Sequence, residues 1–335
     1  MIRSHALIAD LLTAEQMHEL ADSGSVEAFT TKISETLYGT VTIDSDGDPS
    51  IAFEKEFYVK FIERMTKIVE VTPKKISTFL QAYYFLRFEI LNLKRILRGK
   101  FSGLPASQIE GYLIPMKPYQ VSDYKLLVEA ESFENAVELL RGTPYESIEE
   151  SLEFCERYDA LWPMEQALNK FYAKAVQETM QTLPRKDRAL VRNILKFEVN
   201  VENLLNAIKH RRMRAGEEAI PLEELFPVTF NVKLDQIKSL IEAEDLKEAI
   251  QELGQPYDEI LSPIYQGDVA LIRAQARRHI YAIVRKARSL NDFGFNVIMA
   301  YLVFSELEKD DLVGIAWGLT QGVTAEDMTK YLSAT

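Results

Sequence analysis

Phe197 to Ile208 reads FEVNVENLLNAI, and Phe88 to Ile96 reads FEILNLKRI. Both open on Phe-Glu, carry an Asn-Leu pair shortly after, and keep apolar residues at helical spacing. An altered third form stands at Asp311-Leu312, so the pair recurs about every 110 residues. Three positions before each pair stands Glu89, Asn200 or Glu308, and five before it stand Arg87, Glu198 and Glu306. Asn92 lies one turn after Phe88 and one turn before Ile96, and Asn203 lies likewise between Val199 and Ala207, so both sit on apolar stripes. A buried amide without partners costs about 1–3 kcal/mol. Each Asn is therefore expected to bond across to a neighbouring helix and fix its register.

A second phrase keeps the same period. It reads SVEAFTTKISETLYG from Ser25, SFENAVELLRGTPYE from Ser132 and DLKEAIQELGQPYDE from Asp245. Each begins on a residue whose short side-chain oxygen suits a helix N-cap, and each runs on to a tyrosine: Tyr38, Tyr145 and Tyr257. Two unrelated phrases sharing one order and one period predict an internal triple repeat. Paired prolines punctuate it, Pro115 with Pro118 and Pro221 with Pro227. Nearly everything else follows a helical period, whereas TVTIDSDGDPSIAF lacks one and reads as a loop. The predicted fold is all-α: three similar helical lobes, at 1–115, 116–226 and 227–335, in a pseudo-threefold, funnel-like arrangement around a central cavity.

Composition narrows the function classes. The 335 residues include 51 acids against 39 bases, a net charge of −12, which argues against a dedicated nucleic-acid binder. The single Cys155 excludes an internal disulfide and a cysteine zinc site, and its helical setting reads as a buried hydrophobe in a reducing compartment. No apolar run is long enough to span a bilayer, and MIRSHALIADLL lacks the pattern of a signal peptide.

Motifs for chemistry are missing. There is no phosphate-binding GxxxxGK[ST] and no Gly-x-Ser-x-Gly elbow, and the four histidines stand apart from any metal-ligand spacing. DSDGDPS resembles a calcium loop, but counting from Asp44 puts Pro49 where the turn needs glycine and Lys55 where the ion needs glutamate. Asp310-Asp311 lacks the further aspartate of a magnesium-diphosphate site. Arg95, Arg98 and Lys100 in the first copy, and Lys209, Arg211, Arg212 and Arg214 in the second, gather at helix ends. There they suit the helix dipole, or contact with acidic partner surfaces or lipid headgroups. The third copy has Ala316-Trp317-Gly318-Leu319 at that place.

The stretch LWPMEQALNKFYAKAVQETMQTLPRKDRALVRNILKFEVNVENLLNAIKHRR resembles the middle repeat of the C subunit of archaeal A-type and bacterial V-type ATPases, the counterpart of the eukaryotic d subunit. Glu165, Ala167, Leu168, Asn169, Phe171, Tyr172, Leu183, Pro184, Lys186, Asp187, Glu198, Asn203 and Leu204 carry the pattern. FEILNLKRILRGK resembles the first copy, and GVTAEDMTKYL the C-terminal end. Asp311 and Val313 depart from the asparagine and the basic residue expected, and the family has a longer N-terminal helix than MIRSHALIADLL supplies.

The resemblance implies a non-catalytic central-stalk rotor subunit without cofactor or metal. It would be a peripheral protein on the cytoplasmic side, joining the central shaft (the D and F subunits) to the proteolipid c/K ring and passing torque for proton or sodium transport. The rival reading is a helical-repeat adaptor unrelated to ATPases.

Overall fold

A computed structural model describes residues 8–43, 47–213, 222–226, 228–290 and 294–333. Among them every regular element is a helix, and no strand occurs. The Asn-Leu phrases lie in Leu86–Phe101, Arg185–Met213 and Phe295–Thr320. The tyrosine phrases begin with Val26–Ser34, Phe133–Glu138 and Leu246–Gln251. Ser25, Ser132 and Asp245 cap these helices, accepting from the backbone N–H of Ala28 (3.2 Å), Asn135 (3.1 Å) and Lys247 (2.7 Å). A capping oxygen supplies a partner to a first-turn N–H that the helix leaves unpaired.

The segment read as a loop is partly helical. Pro49 opens the helix Pro49–Val71, and the Asp48 carboxylate accepts from Ser50 N at 2.8 Å. Proline in the first turn lacks only a donor that would go unused there. Asp44, Ser45 and Asp46 lie outside the described residues.

By contact the chain divides into two units. One comprises residues 1–68, 185–215 and 230–335. Its helix Phe295–Thr320 is buried on nearly every side, as an apolar circumference requires. That helix pairs with Val269–Leu290 and with the N-terminal helices Ala14–Ala21 and Val26–Ser34. Helices from near the two ends of the chain thus share one core: Met17, Leu20, Phe29, Ile33, Phe53 and Phe57 pack with Leu312, Ile315, Met328 and Leu332. Phe29 meets Phe53 edge-on at 5.0 Å, and Tyr38 meets Phe57 at 5.1 Å. Burying each large apolar side chain contributes about 1.5–3 kcal/mol. Lys309, also buried, rests its ammonium 3.9 Å from the Tyr58 ring and pairs with Asp310.

The other unit comprises residues 69–184 and 216–229. Leu86–Phe101 is surrounded there by Ala106–Gly111, Tyr124–Glu129, Phe133–Glu138 and Trp162–Thr182. A π-helical turn, Gln81–Phe85, precedes it. Such a turn displaces backbone hydrogen bonds, and the Tyr172 hydroxyl donates to Tyr83 O at 2.9 Å.

Glycine permits one close approach twice. A Cβ on Gly99 would stand 2.5 Å from Ile109 Cγ1, and one on Gly318 would stand 2.5 Å from Met328 Sδ. Both glycines occupy the same place in the repeat frame, each facing the short helix that follows its own. Gly99→Ala is expected to cost about 1–3 kcal/mol through overpacking. Gly318→Ala should cost less, because methionine repacks where β-branched isoleucine is stiff. Denaturant unfolding of the two variants checks this order, and equal costs would contradict it.

Candidate functional site

The three helices bearing the Asn-Leu phrase each bury polar side chains, and these are the candidate positions, one set in the unit of Leu86–Phe101 and two in the other unit. Glu89 is 1% exposed and accepts from Ser122 N (2.8 Å) and from the Tyr124 hydroxyl. Glu308 accepts from the Tyr38 hydroxyl (2.7 Å), Arg64 Nη1 (2.7 Å) and Leu12 N. Ser122 and Leu12 each stand just before a helix N-cap, Asp123 and Thr13 respectively. Each carboxylate therefore holds the chain entering a short helix, where the helix dipole favours negative charge.

Asn200 occupies the matching place in the second copy with a side chain one methylene shorter. Its Nδ2 donates to the Tyr257 hydroxyl at 2.7 Å, and its buried Oδ1 has no hydrogen bond among the described residues. The matching entry residue there, Val232, precedes the N-cap Lys233.

One turn further along, Asn92 is wholly buried. Its amide donates to Ile114 O at 2.8 Å and accepts from Ile114 N at 2.9 Å. Its partner is thus non-helical backbone, 22 residues on, rather than a neighbouring helix. Asp311 holds Ser333 at the same 22-residue distance, accepting from its N–H and its hydroxyl, both at 2.8 Å. A carboxylate cannot donate to a carbonyl, so the third copy replaces the carbonyl acceptor with a second donor. Asn203 is only half-buried.

Electrostatics follow from this burial. Desolvation pushes the Tyr38 hydroxyl well above its usual range, and adjacent Glu308 adds to the rise. Desolvation and Glu89 likewise push Tyr124 up. Burial lifts Asp311 to about 6 against the opposing pull of Arg277, whose Nη2 lies 3.8 Å away. Burial also raises the Cys155 thiol.

The basic residues read as contact candidates mostly turn inward. Arg95 donates to Tyr112 O, Lys100 to Ala130 O, and Arg98 pairs with Glu165. Arg211 donates to Leu240 O (3.3 Å) and Glu244 O (3.0 Å). Tyr112, Ala130, Leu240 and Glu244 lie at or just beyond the C-terminal ends of short helices, where carbonyls lack intrahelical donors. These cations staple neighbouring helices instead of only complementing their own. Lys209 and Arg98 are exposed. The side chain of Arg212, and Arg214 altogether, lie outside the described residues.

Among the described residues no group of three His, Cys, Asp or Glu side chains is placed to hold a metal, and no helix is long and apolar enough to cross a membrane. The polar side chains at these junctions bind backbone and one another, and so tie helices to the connecting chain. The sequence model of the ATP synthase (C/AC39) subunit family matches residues 3–331, and the chain belongs to that family. The A-type ATP synthase C subunit of Methanocaldococcus jannaschii is 26% identical, with 97% of this chain and 83% of that protein aligned. The proteins of the same name from Pyrococcus furiosus and Thermococcus gammatolerans are 21% and 22% identical, each alignment covering 98% of this chain and 88% of the relative. The family is a component of rotary ATPases.

The Arg64–Glu308 pair is mostly buried, with side chains 13% and 6% exposed. Arg64→Met is expected to cost about 3 kcal/mol, because it strands a buried carboxylate. Arg64→Met/Glu308→Leu should recover only part of the loss, because it leaves the buried Tyr38 hydroxyl and Leu12 N without their acceptor. Chemical denaturation of the single and double variants decides this, and a double variant as unstable as the single one would refute it.

Proposed function

We propose that this chain is a non-catalytic rotor subunit of the central stalk in an A/V-type ATPase. It serves as a socket between the central shaft, built of the D and F subunits, and the proteolipid ring of the membrane sector. In this reading three helical lobes of about 110 residues surround a central cavity that receives the shaft. The chain lies against the cytoplasmic face and passes torque between nucleotide turnover and the movement of protons or sodium ions. The observation that carries it is the family match over residues 3–331.

The structure supports the reading physically. A torque coupler must resist shear, and packed helices stapled at their ends by Arg95, Lys100 and Arg211 resist it better than loops do. Exposed Arg98 and Lys209 remain the basic positions best placed for acidic partner surfaces.

Reconstitution tests the proposal. A complex assembled without this chain should hydrolyse ATP but lose ATP-driven ion uptake, and adding the chain back should restore coupling. Coupled uptake in its absence would end the socket reading. Affinity for a shaft of the D and F subunits should fall as salt rises, since charged surfaces more than a Debye length apart are screened. If native membranes yield the chain with no other ATPase component attached, the adaptor reading replaces this one.

A further inference from the structure

We propose that one end of the helix pair Arg185–Met213 and Val269–Leu290 is a docking face for an anionic lipid surface.

The sequence sets up the charge. Val269–Leu290 carries six cations and no acid. Residues 185–196, the opening of Arg185–Met213, carry five cations and one acid, Asp187, which is buried. The next long helix, Phe295–Thr320, has no charged residue before Glu306. All this stands in a chain whose net charge is −12.

Contacts within the first unit bring the two basic stretches to one end. Near the C-terminal end of Arg185–Met213, Arg211 reaches Glu244 O at 3.0 Å. Shortly after comes Lys247, whose carbonyl stands 3.5 Å from the Tyr265 hydroxyl, just ahead of Val269–Leu290. Midway along both helices the Phe197 and His279 rings lie 4.4 Å apart. Val269–Leu290 therefore runs back along its neighbour, which sets residues 280–290 beside 185–196. Arg185, Lys186 and Arg192 are exposed there on one helix, and Arg285 and Lys286 on the other. Arg185 and Arg192 stand two turns apart and so share a face. Arg95, Lys100 and Arg211 are engaged by carbonyls, whereas none of these five side chains forms an ion pair or a hydrogen bond among the described residues.

The chemistry selects a lipid surface over a protein. Neither 185–196 nor 280–290 exposes an aromatic side chain, the kind of anchor on which protein interfaces rest. Headgroups need no such anchor, because cations gather over a charged plane without a shaped partner. Leu290, 79% exposed at the end of its helix, adds an aliphatic side chain able to enter the acyl boundary. The acidic remainder of the chain does not prevent this, since charges more than a Debye length from the surface are largely screened.

Flotation of the intact chain with vesicles tests the proposal. Vesicles rich in phosphatidylglycerol should bind it, pure phosphatidylcholine vesicles should not, and binding should weaken as salt rises. Each cation near an anionic surface is worth about fivefold, so Arg285→Gln/Lys286→Gln should weaken partitioning by about tenfold or more. Lys238→Gln/Lys247→Gln removes as much charge from exposed positions at the other end of Arg185–Met213, and should change partitioning by less than about twofold. No binding to phosphatidylglycerol, or equal losses in the two pairs, overturns the proposal. So does a polyglutamate peptide bound at this face while vesicles are ignored, which would assign it to an acidic protein. A chain that restores coupling in the reconstituted complex yet ignores vesicles overturns this inference and leaves the socket reading standing.

Discussion

A polar side chain inside a helical core is tolerable only where something meets it, and here the partner is the backbone of a distant segment. Glu89, Asn92, Glu308 and Asp311 each bond main-chain groups that no helix or sheet would otherwise satisfy. Buried backbone groups left alone cost about as much as the hydrogen bond forgone. Each contact therefore removes two penalties at once, one from the side chain and one from the connecting chain. Short helices too weak to stand alone gain a fixed entry point by this means.

The same economy governs the cations. A short helix exposes four carbonyls at its end, a large share of its length. Arg95, Lys100, Arg211, Arg277 and Arg278 reach from long helices to those ends. Long helices thus act as beams whose polar side chains tie down the short elements, while apolar faces such as Phe29, Phe53 and Phe57 supply the bulk of the cohesion.

Much of this was legible in the residues. Helical period and capping residues announced the helices, and the Asn-Leu frame marked Glu89, Asn92, Glu308 and Asp311 as special places. Their partners were not legible, because Ile114 and Ser333 lie in non-helical chain where no periodicity points back to the helix. Ser333 could have been suspected from the Asn-to-Asp change, since a carboxylate needs a second donor. Pro49–Phe53 misled because the cap at Asp48 sits among turn-forming residues that also suit a loop. Basic residues at helix ends suggested partners or the local dipole, and only three-dimensional proximity assigns Arg211 to Leu240 and Glu244. Asn203 reads like Asn92 in sequence yet is half-buried, a difference set by packing alone.

The tie between Leu12 and Glu308 joins residues 296 positions apart. On a ribosome adding about 5–20 residues each second, the first helices wait roughly 15–60 s for the helix they pack against. Throughout that interval Met17, Leu20, Phe29 and Ile33 lack the cover of Leu312, Ile315, Met328 and Leu332. The core that unites the two ends is therefore the last to close during synthesis, and the opening segment is the part of the chain most in need of shelter while it is made.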